Sequence, residues 1–151
     1  MSAKEYLEQI EKLTIKIKQR EEQLACLRET AGGAAAIRYD KESVQVSVTP
    51  DIVERNVIRL VTLEEQIFTE KVRMESLKNQ IIEQIQAIDD KRYMEILYLK
   101  YVKFERYYEI AERMKYEYDY VRCLHGEALG YFEKKYEDFI FQMQSPHKIS
   151  Q

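Results

Sequence analysis

The chain has 151 residues, enough for one domain or for a small domain with an extension. It is 45% hydrophobic and 34% charged with only 4 Gly and 2 Pro, a balance that favours long helices over strands and loops. A net charge of -3 argues against a strongly basic nucleic-acid binder, no long apolar run offers a membrane span, and the Met1–Glu8 stretch is too charged for a signal peptide.

In chain order, Ser2 and Glu5 match a capping box, so a helix is expected from the start. The series Ala3, Tyr6, Ile10, Leu13, Ile17, Arg20, Leu24, Leu27 follows the heptad spacing and is apolar except at Arg20. Gly32-Gly33 is the expected end, because glycine tolerates a left-handed cap. Residues 31–50 read as a linker. Val44, Val46 and Val48 alternate with Gln45 and Ser47 like a strand, but a lone strand lacks a partner, so extended or disordered chain is expected.

A second helix follows, with Thr49 as N-cap, Pro50 at the first helical position and Asp51 at the positive end of the dipole. Its core series is Val53, Asn56, Leu60, Leu63, Ile67, Glu70, Met74, Leu77, Ile81, Gln84, Ile88. The polar members Asn56, Glu70 and Gln84 have two readings. They fix register or strand number, or they sit at the edge of a wider stripe with Val57, Val61 and Ile85. The helices are read as about 27 and about 38 residues, hence about 40 and about 57 Å long. They are expected to fold back as an antiparallel, coiled-coil-like hairpin over residues 1–88. Their narrow apolar stripes call for a third surface, from the C-terminal part or from a second copy.

Asp89-Asp90 breaks the pattern and offers a new N-cap. Of 12 Tyr, 10 lie beyond residue 90, so the core there is of another kind. A short helix with Met94, Ile96, Leu97 and Tyr101 is expected, then helices near 105–114 and 118–141, then a frayed tail over 144–151. Residues 91–151 carry 11 basic and 10 acidic side chains against 7 and 11 in residues 31–90, so the last part is the least acidic. Two cysteines, Cys26 and Cys123, suit free thiols in a reducing cytoplasm.

Within 89–143, Tyr107 to Leu129 is the most specific stretch. Ile110, Ala111 and Met114 fit a first helix, Tyr116 the turn, and Val121 and Leu124 a second helix. Glu109-Ile110-Ala111 and Val121-Arg122-Cys123-Leu124-His125-Gly126-Glu127-Ala128-Leu129, preceded by Ile96–Val102, resemble the helix-turn-helix of region 4 in bacterial sigma factors. With the charged N-terminal part, the whole resembles small late transcriptional regulators of the ArpU and RinA type from phages and prophages of Gram-positive bacteria.

That resemblance implies a DNA-binding regulator. Val121 and Leu124 would pack on Ile110, Ala111 and Met114. Tyr118, Asp119, Arg122, Cys123 and Glu127 would face the major groove, with Arg122 pairing to guanine. Tyr118 and Tyr120 would bond phosphates, and Lys115, Arg113 and Arg106 would neutralise them. Three positions depart from the pattern: Lys115 where glycine is usual, Glu117 where a serine cap is usual, and Asp119 at the groove-facing start.

Plainer readings stand beside these. The helix pair serves packing alone, Arg122 is a solvated arginine, His125 is structural, and the tyrosines are core rather than a stacking platform. Cys123 and His125 do not share a helix face, so no metal site is expected. No catalytic constellation or cofactor motif appears, so no enzyme is expected. Together these features predict an all-α chain, a long antiparallel helical hairpin followed by a small helix-turn-helix domain. Its expected partners are double-stranded DNA, host RNA polymerase and a second copy through the hairpin, with no membrane. The alternatives are an RNA polymerase-binding protein without its own DNA specificity and a small terminase-like packaging component.

Overall fold

A computed structural model describes residues 1–39 and 50–144, with side chains for 1–30 and 51–144. Every regular element among them is a helix: α1 (Ala3–Tyr39), α2 (Pro50–Gln86), α3 (Lys91–Tyr101), α4 (Tyr107–Met114), α5 (Tyr118–Lys135) and α6 (Glu137–Gln144). No helix is long and apolar enough to cross a membrane. The Thr49 cap, the Val44–Val48 alternation and the tail beyond Gln144 lie outside the described residues.

The expected capping box is present. Ser2 N–H donates to Glu5 Oε2 at 2.9 Å, and Glu5 N–H donates to Ser2 Oγ at 3.2 Å. The expected end at Gly32-Gly33 is not: α1 runs on to Tyr39. Ala31 and the run Ala34-Ala35-Ala36 are the strongest helix formers, and they outweigh two glycines.

The chain forms two compact units. One is Leu13–Met74. Within it α1 and α2 run antiparallel, since Lys16 and Arg20 meet Glu70 while Arg28 meets Glu64. Leu24, Leu63 and Ile67 form its core, flanked by Leu27 and Leu60. The one polar break in the α1 series is thereby matched to Glu70, one of the three in the α2 series. Arg20 Nε lies 3.0 Å from Glu70 Oε2, and Arg20 Nη1 donates to Gln66 Oε1 at 2.5 Å. Lys71 pairs with Glu21 at 2.6 Å nearer the surface, where such pairs are worth little. Val57 and Val61 do not widen the core stripe: both are exposed.

The other unit joins Met1–Lys12 to Glu75–Gln151. Ala3, Tyr6, Leu7 and Ile10 of α1 are buried, as are Leu77, Ile81, Ile85 and Ile88 of the α2 end. Tyr6 is fully buried, stacked on Phe132 at 6.1 Å and edge-on to Phe139 at 5.9 Å. Its hydroxyl donates to Gln84 Oε1 at 2.7 Å, so this polar position of α2 also has a partner. Burial pushes the Tyr6 hydroxyl up to about 12. Asp90 caps α3 as expected, accepting from the N–H groups of Arg92 at 2.9 Å and Tyr93 at 3.4 Å.

The helix expected over 118–141 is broken at Tyr136, whose ψ of 23° leaves the helical range. The break coincides with hydrogen bonds to the end of α2. Its last carbonyls have no partner within the helix. Tyr136 donates to the Gln84 carbonyl at 2.8 Å and Lys135 to the Ala87 carbonyl at 2.6 Å. The turn at Tyr136 sets α6 so that Ile140 is buried and Phe139 reaches Tyr6.

Candidate nucleic-acid interface

The segment Tyr107–Leu129 forms two helices joined by three residues, Lys115–Glu117. Ile110, Ala111, Val121 and Leu124 are buried as the pattern requires, and Met114 is half-buried. α4 and α3 both pack on α5. At the start of α4 the Glu109 carboxylate reaches back to accept from Arg106 N–H at 3.1 Å.

Lys115 has φ 59° and ψ 44°, the left-handed conformation. It lets Tyr116 N–H reach back to the Ala111 carbonyl at 3.0 Å and close the helix. A non-glycine residue in this conformation costs about 1–2 kcal/mol. Phe104 takes the same conformation, φ 57°, between α3 and α4, where Glu105 N–H reaches the Leu99 carbonyl at 3.0 Å. Glu117 precedes α5 without a side-chain cap, and Asp119 lies in its first turn.

The residues read from the sequence divide by environment. Tyr118, Asp119, Tyr120, Arg122, Cys123 and Lys115 are all exposed on or beside α5, so the fold gathers them. Arg122 makes no ion pair or hydrogen bond to the described residues. Tyr118 is edge-on to Tyr107 at 6.2 Å, and Tyr116 to Tyr120 at 4.8 Å. Arg106 is exposed at the α4 start. Arg113 is held differently from its expected role. Its guanidinium grips Glu105 through two contacts, 2.6 and 3.1 Å, and that hydrogen-bonded partner raises its pKa. A phosphate would have to displace a bidentate carboxylate.

One group escaped the sequence reading. Arg92 of α3 donates to the Tyr120 hydroxyl at 2.8 Å while pairing with Asp90 at 3.2 Å, which places a cation beside the α5 start. Nothing local in the sequence joins residues 92 and 120. His125, read as structural, is buried, with both ring nitrogens bonded: Nε2 to the Tyr101 hydroxyl at 2.7 Å and Nδ1 to the Tyr107 hydroxyl at 3.0 Å. Burial first, then the charges of Lys100 and Lys4, lower its pKa to about 4. Lys100 Nζ sits 4.3 Å from the Tyr107 ring centre, completing this knot of side chains. No group of three or more His, Cys, Asp and Glu gathers to hold a metal among the described residues.

Comparison with protein-family models, curated proteins and solved structures returned no match.

Proposed function

We propose that this chain is a phage-type transcriptional regulator that lays α5 in the major groove of double-stranded promoter DNA. The observation that carries the reading is the outer face of α5. There Arg122 is exposed and unpaired among the described residues, with Asp119, Cys123 and Gly126 exposed beside it. The helix stands on α3 and α4, so its outer face is presented on a packed support. A guanidinium in that position suits two acceptors on the guanine edge. Lys115, Tyr118 and Arg106 are the phosphate contacts of this reading, with Arg92 and Tyr120 beside them. Arg113 drops out because Glu105 occupies it. A second copy is the partner of the hairpin, and the bacterial cytoplasm is the place of action.

The near balance of charge on this face favours one further reading: contact with host RNA polymerase without DNA specificity. Asp119 and the neutralised Arg113 both weaken attraction to phosphate.

The test uses the full chain, titrated against fluorescent phage genomic fragments over a salt series. Binding is expected to weaken as salt rises, and Arg122→Ala to lower affinity about tenfold or more, the usual worth of a bidentate base contact. Binding that ignores both salt and Arg122→Ala sinks the DNA reading. Capture of host polymerase in nuclease-treated extract would then favour the second.

A further inference from the structure

In the Leu13–Met74 unit, α2 carries two apolar stripes. The first, Leu63 and Ile67 with Leu60, packs against Leu24 and Leu27 of α1. The second is Val53, Val57, Val61, Phe68 and Val72, each between 45% and 71% exposed. At about 100° per residue these five fall within an arc of about 100°, centred about 100° from the first stripe. They extend along about 29 Å of helix. Single exposed apolar side chains are ordinary, but five on one face, interspersed with Glu54, Glu64 and Lys71, mark an interaction surface.

We propose that this second stripe binds a second copy of the chain, α2 against α2, antiparallel about a two-fold axis between Thr62 and Leu63. This deepens the dimer named above and stands apart from the DNA reading. Paired helices meet in layers alternately three and four residues apart. On this face those layers are Glu54, Val57, Val61, Glu64, Phe68 and Lys71.

About the stated axis, Val57 meets Phe68 of the second copy, and Glu54 meets Lys71. Val61 meets Glu64, whose carboxylate Arg28 already neutralises at 2.6 Å. Val53 and Val72 meet at the margin. The symmetry repeats every pair, as a two-fold interface demands.

Charge rejects the neighbouring arrangements. A parallel, in-register pair sets Glu54 on Glu54 and Glu64 on Glu64. An antiparallel slip of one heptad sets Glu54 on Glu64 in one direction. In the other it sets Glu64 on Phe68 and Val61 on Lys71. Of these registers, only the proposed one pairs Val57 with Phe68 and Glu54 with Lys71, leaving Val61 against the Glu64 that Arg28 already neutralises.

Sedimentation equilibrium of the full chain tests this. The chain is expected to be a dimer. Phe68→Glu is expected to give a monomer with an unchanged helical circular dichroism spectrum. Glu54→Lys and Lys71→Glu are each expected to raise the dimer dissociation constant about tenfold, and the double exchange to restore it. Lys71 also pairs with Glu21 of its own chain, so the double exchange isolates the contact between copies. A wild-type monomer, a ring of many subunits, or a dimer indifferent to Phe68→Glu overturns the proposal. Failure of the double exchange to restore affinity overturns the antiparallel register. DNA titration of the Phe68→Glu monomer reads the DNA-binding claim separately, so either can fail alone.

Discussion

Two tyrosine hydroxyls hold the His125 imidazole from opposite edges; burial and the charges of Lys100 and Lys4 favour the neutral ring, in which one nitrogen donates and the other accepts. Protonation would turn both nitrogens into donors inside a buried, cation-flanked site. The pH consequence has a definite sign. Below about pH 6.5 the unfolded chain binds a proton that the folded imidazole refuses until about pH 4. Stability from this residue is complete above that window and falls through it as pH drops, by an amount on the order of 2–3 kcal/mol. Urea midpoints measured across the window should show the decline in the wild type and a flatter profile in His125→Gln. An equal slope in both would remove the histidine from the account. The Arg122 guanidinium, by contrast, is exposed and unpaired among the described residues, and its part in the proposal is tested by DNA affinity rather than by folding.

Along α5, Gly126 and Gly130 lie on the exposed side, and a Cβ added at either meets nothing within 4 Å. Packing within the chain therefore does not require them. Glycine inside a helix loses about 0.5–1 kcal/mol relative to alanine. Gly126→Ala combined with Gly130→Ala should raise stability by about 1–2 kcal/mol in thermal unfolding, and a lower midpoint would refute this. If the helix backbone approaches DNA closely, the same variant binds DNA more weakly. The helix pair itself was legible because Ile110, Ala111, Val121 and Leu124 follow helical spacing, a short-range pattern. The break at Tyr136 was not, because the carbonyls that Tyr136 and Lys135 meet there, those of Gln84 and Ala87, lie some fifty residues earlier. The polar exceptions Arg20 and Glu70 could be seen in their heptad series, but their pairing needed the hairpin register. Val57 and Val61 show the limit from the other side. Periodicity finds an apolar stripe without telling whether this chain or another covers it.

At the scale of the whole molecule, the first three turns of α1 share a core with the C-terminal helices, joined through Tyr6, Phe132 and Phe139. Tyr6→Ala removes a fully buried ring and should cost about 3–5 kcal/mol in urea unfolding. Tyr6→Phe keeps the ring but leaves Gln84 Oε1 without its donor, and should cost about 1–3 kcal/mol. A Tyr6→Ala variant as stable as wild type would refute the shared core. Fragments lacking residues 1–12 are accordingly poor vehicles for studying the α4–α5 pair. The same arrangement orders events during synthesis. Tyr6 leaves the ribosome well before its ring partners, Phe132 and Phe139, which lie far along the chain. Local hairpin contacts can form meanwhile, but this core must wait for a long loop to close. Its assembly is therefore expected to be the slow step of folding, with apolar residues of the first turns exposed until the last helices arrive.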